Sequence, residues 1–410
     1  MSKLDRWWDA VDQWLTPRRL SYAWIAGAVM WSTWLVTIMA GDGRLDVLGR
    51  PIGTDFLQFY TAGLTLRLGQ QARLYDFAYQ SELQRSLMGP QLDRFYAFIT
   101  PPHLAWIFVP LSALPYAAAF LIWSAIGLVG LVIGLRWLGA GGWRPLGWAL
   151  TFFPVFAAIS YGQNSLLSFL LMATAGMLWL RGHDLAAGLA LSGLAYKPQL
   201  ILGLAILWVA DGRRSWRALV GLVAGMGGWL TLTQLLMPDA WRNYVVFART
   251  VLPSLPHWGE FPLWHLHTVR GFWWLLFPQA TVLADLLTAI SAVAGLALAW
   301  RVWRSLPLRS EESWAVAVLL TLWLTPHAMI YDWAILLIPA VLLWRTVRGP
   351  MRRWRVAFAL VWAATWVSGP VTALQMRWLP IAIQWSIPIY AFACWQVYRQ
   401  LVGSDGGDRL

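Results

Sequence analysis

Cysteine is nearly absent. One thiol, Cys394, in 410 residues excludes an internal disulfide and any cysteine-built metal cluster. Lysine is almost as rare: Lys3 and Lys197 stand against a large excess of arginine. Charge of either sign is scarce, at 12% of residues, where ordinary soluble domains carry about 25%. The phosphate-cradling patterns G-x-x-x-x-G-K-[ST] and G-x-G-x-x-G are missing, which argues against a nucleotide-binding loop. No D-x-D occurs to hold a metal on a nucleotide sugar, and ISYGQNS lacks the G-x-S-x-G order of a nucleophile elbow. Neither a metal nor a cofactor is expected.

What the chain has is apolar length. Hydrophobic residues make up 59% of it, in recurring runs of about 18 or more residues, enough to cross a bilayer core. The expected segments lie near 21–41, 99–114, 116–136, 146–160, 165–181, 185–210, 217–237, 280–300, 313–325, 330–345, 356–375 and 380–400. The fold class is all-α: a single integral membrane domain over 1–410, built as a transmembrane bundle of about twelve helices. The 32 tryptophans suit a chain with many membrane–water interfaces. The first apolar run, too long for a cleaved signal, is expected to stay as an anchor. The net charge of +12 falls in connections suited to face anionic lipid, with no basic stripe for nucleic acid.

The excess of basic residues on cytoplasmic loops orients the bundle. It puts Lys3, Arg6, Arg18 and Arg19 inside, with DGRRSWR at 211–217, RVWRSLPLR at 301–309 and RTVRGPMRRWR at 345–355. Both termini are then cytoplasmic. One connection disagrees: 136–144 carries Arg136 and Arg144 and falls outside. Two long loops, about 42–98 and about 238–279, lie on the outer face, and loops of that length are usually functional. DFLQFYTAGLTLRLGQQ and LYDFAYQSELQRSLM in the first read as interfacial helices.

Ionisable residues in this setting are the functional candidates. Asp55, in GTDFLQFYTAG with Tyr60 close behind, either caps a helix N-terminus or serves as a general base. Lys197, in AYKPQL, either snorkels to an interface or meets an anionic group such as a lipid phosphate. LTPHAMIYDW joins His327, Tyr331 and Asp332 in a break between apolar runs: a wet, capped turn, or a site where histidine stabilises an anion or relays a proton. SYGQNS places Gln163 and Asn164 in a turn that this segment count puts on the inner side. Pro101, Pro102 and His103 either start a helix or shape a cavity floor. His257, His265 and His267 share the second loop with Glu260, but H-x-H without a third fixed ligand is a weak metal signal. Contact with headgroups or substrate is the stronger reading of that loop.

Taken in order, the blocks around Asp55, Tyr60 and Ala62, then LYD at 74–76, FYAFITPP, FVPLSALP, YGQNSLL, LAYKPQL and TPHAMIYDW resemble glycosyltransferase family 87 over roughly residues 50–340. The resemblance implies the GT-C architecture and transfer of mannose, or another hexose or pentose, from a polyprenyl-phosphate donor to a lipid or glycan acceptor. The reaction would run with inversion on the outer face of a bacterial inner membrane. Asp55 matches the family's base. Lys197, His327 or an outer-loop arginine would hold the phosphate, with Gln163, Asn164, Tyr331, Asp332, Tyr60 and His103 as further substrate-site candidates. A transporter or lipid-linked-sugar flippase is the competing class, since broken helices and an intramembrane lysine also suit a carrier. Two matching halves, the usual mark of a carrier, are not visible.

Overall fold

The computed structural model describes residues 10–402, apart from 14, 91, 93, 256, 257, 259, 260 and 347–350. Lys3, Arg6, His257 and Glu260 lie outside the described residues. Among those described, the chain is all helical, with two isolated bridges, Leu45–Pro51 and Leu266–Met329, and no strand. Five helices are long and apolar enough to cross a membrane: Arg18–Met39, Tyr116–Trp137, Trp216–Leu236, Thr281–Ser305 and Val356–Trp378.

Two expected segments take a different form. Residues 99–114 are not a spanning helix. They break into the 3-10 turn Pro102–Leu104, a four-residue helix Ala105–Phe108 and a second turn Leu111–Ala113. Pro101, Pro102 and Pro110 remove the amide donors a continuous helix needs. This apolar stretch folds onto the helix Phe56–Arg67, with Phe59 stacked on Phe108 at 5.1 Å. That helix is therefore not a surface element: residues from Phe56 to Thr65 are buried, Gln58 excepted. The next helix, Phe77–Met88, grips the extended FYAF segment through two glutamines. Gln84 exchanges bonds with both backbone groups of Tyr96, and Gln80 Oε1 accepts from Phe98 N.

Residues 185–210 are not one helix either. Asp184–Ser192 tightens into the 3-10 turn Gly193–Tyr196, breaks at Lys197, and resumes through Pro198–Ile201 into Leu202–Asp211. Pro198 again removes a donor at the break. The result is a helical hairpin. Its two ends meet at one polar cluster, where Arg309 pairs with Asp184 at 2.9 Å and Ser215 Oγ donates to Asp211 at 2.5 Å. Lys197 is carried to the opposite end of the bundle.

Tryptophan does more here than mark interfaces. Pro154 divides Trp143–Thr151 from Phe153–Ser160 and frees carbonyls at the break. In an apolar bundle those carbonyls need donors. Trp31 Nε1 donates to Leu150 O at 2.8 Å, while Trp362 and Trp366 donate to Thr151 O at 3.0 and 3.2 Å.

Candidate active site

The chain packs two tight turns against each other, backbone to backbone. One is Gly53-Thr54-Asp55; the other is Tyr161-Gly162-Gln163. Phe56 N donates to Tyr161 O at 3.0 Å. Both glycines are required. Gly53 has φ +72°, and a Cβ there would lie 2.3 Å from the Phe120 ring. Gly162 has φ +65°, and a Cβ there would lie 2.4 Å from Phe56 Cβ. Thr54 between them holds φ +20°, a costly value for a β-branched residue and one that clusters at functional sites. Tyr116 Oη, donating to Ile52 O, and Trp123 Nε1, donating to Gly162 O, brace the pair.

Asp55 occupies the N-cap position of Phe56–Arg67 but makes no capping bond. Its Oδ2 instead accepts from Gln163 Nε2 at 2.7 Å. The expectation that the YGQN turn and the Asp55 loop lie on opposite sides is thus corrected: Gln163 touches Asp55. The shift follows from residues 99–114 failing to cross. Oδ1 of Asp55 has no partner among the described residues. Burial pushes the carboxyl up to about 6, against the pull of the Gln163 bond and of the Lys197 and Arg94 charges.

The second carboxylate is bound on both oxygens. Asp332 Oδ1 accepts from Lys197 Nζ at 2.6 Å and from Ser165 Oγ at 2.8 Å, and Oδ2 accepts from Met329 N at 3.2 Å. The side chains of Lys197 and Asp332 are 11% and 3% exposed, so each charge depends on the other. Lys197 also lies 5.3 Å from the centre of the Tyr331 ring. Tyr331 packs edge-on to Tyr161 at 6.2 Å, and His265 closes the group at 5.8 Å from Tyr161 and 6.2 Å from Tyr331. His327 stands beside this cluster. Burial lowers its pKa, opposed by Asp332 and reinforced by Lys197 and Arg270. It is therefore a neutral hydrogen-bonding group at pH 7 rather than a cation.

The other candidates sit elsewhere. Tyr60 braces the fold: its hydroxyl donates to Leu114 O at 2.8 Å and its ring packs on Phe56 and Tyr116. His103 stacks on Trp229 at 5.5 Å, with both ring nitrogens buried and unpartnered. Asn164 is fully buried behind Gln163, and its side-chain nitrogen and oxygen are likewise unpartnered. Among the described residues no group of three potential ligands is placed to hold a metal ion. Ser165 and Tyr161 were missed in the sequence, where a serine and a tyrosine beside a turn carry no distinguishing pattern. His265 was seen only as half of a weak H-x-H.

The fold is thus a deeply apolar helical bundle with one pinned and one partly free carboxylate at the same end. A family model, glycosyltransferase family 87, matches residues 98–326, more than half of the chain, and the chain belongs to that family. It is a membrane glycosyltransferase, and the carrier reading gives way to that assignment. His103, Gln163, Asn164 and Lys197 fall inside the matched stretch, whereas Asp55, Tyr60, His327, Tyr331 and Asp332 fall outside it. No curated protein and no solved structure matches the chain.

Proposed function

We propose that this glycosyltransferase moves a sugar (mannose, or another hexose or pentose) from a polyprenyl-phosphate donor to a lipid or glycan acceptor, with Asp55 as general base. The observation that carries the reading is the contrast between the two carboxylates. Asp332 is engaged by three donors, Lys197, Ser165 and Met329, spread over both of its oxygens. Asp55 is held by one bond from Gln163, and its carboxyl sits at about 6, near the pH at which a base works best.

The step balances simply. Asp55 takes the proton of the acceptor hydroxyl, and that oxygen attacks the anomeric carbon from the face opposite the phosphate. The carbon–oxygen bond to the phosphate breaks with its electron pair leaving on the phosphate, and configuration inverts. The lipid phosphate gains charge as it leaves, so donors aimed at it lower the barrier. Lys197 has ammonium hydrogens beyond the one given to Asp332, and Tyr331 and neutral His327 add further donors.

The orientation belongs to the same proposal. Withdrawing residues 99–114 as a crossing and counting 184–211 as two leaves the number at twelve. The connection 136–144, with Arg136 and Arg144, then moves to the cytoplasmic side and obeys the positive-inside rule. The turns bearing Asp55, Gln163, Lys197 and His327 all face outward, with both termini inside a bacterial inner membrane.

The test offers short-chain polyprenyl-phosphate mannose, glucose and arabinofuranose in parallel to purified protein with extracted membrane lipid and glycan. Wild type is expected to label an acceptor from one donor. Asp55→Asn is expected to lose at least about a hundredfold in rate. Folded wild type that transfers from none of the donors, or Asp55→Asn at full rate, overturns the reading.

A further inference from the structure

The segment 264–268 of the second loop lies between two partners. On one side it meets the candidate site. His267 N donates to Ala328 O at 2.9 Å, Trp333 Nε1 donates to His267 O at 3.0 Å, and Leu266 bridges Met329. On this side the His265 ring faces Tyr161 and Tyr331.

On the other side the same segment is tied to the last two helices, Met351–Trp378 and Ser386–Val402, and the loop joining them. Gln384 Nε2 donates to Trp264 O at 2.7 Å. Gln384 Oε1 accepts from Ser368 Oγ at 2.7 Å and from Thr372 Oγ1 at 2.8 Å. Ser368 Oγ in turn accepts from Ser386 N, and Ser386 Oγ lies 2.8 Å from His267 Nδ1. Ser368, Thr372, Gln384 and Ser386 are fully buried, and His267 is 1% exposed. Polar groups buried this deeply are costly unless paired, and a paired network rigidifies what it holds. All of it except Trp264 and His267 lies beyond the stretch matched to the family. A network needed only to join two helices would not reach across to Trp264 and His267.

We propose that His265 is a substrate-facing wall of the site and that Gln384 and Ser386 are its positioning residues. This inference rests on the cluster around Asp55 being the substrate site. Trp264 and His267 point toward the C-terminal helices, and the residue between them that faces Tyr161 is His265. A shift of the anchor would move the imidazole away from Tyr161 and Tyr331 and weaken its contact with bound donor, a loss of binding that appears in KM.

The test places His265→Cys in a Cys394→Ala background and follows reaction with a water-soluble maleimide. Short-chain polyprenyl phosphate, with and without mannose, is the ligand. The ligand is expected to slow labelling about tenfold, and Gln384→Met or Ser386→Ala to raise the unliganded rate by a similar factor through local opening. Ser386→Thr, which keeps the hydroxyl, is expected to leave the rate unchanged. In the native His265 background, Gln384→Met is expected to raise KM for the donor with kcat retained. The same change made on top of His265→Ala is expected to add nothing further. Labelling that neither ligand slows, or that both anchor variants leave unchanged, overturns the assignment. Independent, multiplying effects on KM overturn it as well. Protection at 265 without transfer by wild type would keep this inference and sink the transferase mechanism; transfer without protection would do the reverse.

Discussion

Asp55 binds its proton more tightly than a free aspartate because burial penalises the charged form, and the Gln163 bond and the Lys197 and Arg94 charges only partly offset this. Activity that needs the ionised base should therefore fall as pH drops through about 6 and level off above it, in a kcat/KM–pH profile. Stability moves the other way. Between the ordinary value of 3.8 and the folded value of about 6 the folded protein holds more protons than the unfolded one, so it loses stability as pH rises through that window. Asp55→Asn should abolish this slope and leave Tm unchanged or raised, as expected where an active-site group is strained for function. Lys197 behaves differently. Lys197→Ala strands the Asp332 charge, with its side chain 3% exposed, and should cost about 3–5 kcal/mol. Adding Asp332→Ala to it should recover most of that loss, measured as Tm in detergent. A merely additive pair would show that the two charges are not coupled.

At the scale of elements, proline breaks the helices and tryptophan repairs them. The carbonyls freed near Pro154 are shared unequally: Trp31 alone covers Leu150 O, whereas Trp362 and Trp366 both cover Thr151 O. Trp31→Phe leaves a carbonyl orphaned and should destabilise by about 1–3 kcal/mol, while Trp362→Phe should cost less in the same thermal assay. The breaks at YGQN and TPHAMIYD were legible in the sequence as polar turns, whereas those within 99–114 and at Pro154 fell inside segments read as continuous. The single helix expected over 185–210 was not corrected by its own composition, because an apolar run looks the same whether it is one long helix or a hairpin of two short ones. Lys197-Pro198 marked the fold point, and only the meeting of Asp184 and Asp211 at the Arg309 and Ser215 cluster decided it. The first loop's leading helix was expected at a surface, yet its residues are buried on nearly every side, because apolar residues 99–114 cover it instead of crossing.

Across the whole molecule, the proposed orientation makes a sharp statement about sides. With Cys394→Ala as background, Trp143→Cys should react with an impermeant maleimide only from the cytoplasmic face of membrane vesicles. Arg50→Cys should react only from the outer face. The reverse pattern, or labelling of both from one side, would overturn the orientation and with it the exposure of Asp55 to outer-leaflet substrate.

Composition by itself determined that this chain is a helical membrane protein, because its continuous apolar runs are of the length a spanning helix needs to satisfy its own backbone. The order of its short polar blocks determined its kinship, and the rarity of carboxylates and lysines in apolar surroundings singled out Asp55, Lys197 and Asp332. Their tasks were decided only in three dimensions. Gln163 stands 108 residues from Asp55 and Asp332 stands 135 from Lys197, so no local pattern could say which carboxylate would be held by several donors and which by one. That choice depends on which turns the packed helices bring to one end of the bundle, and on two glycines that let those turns touch.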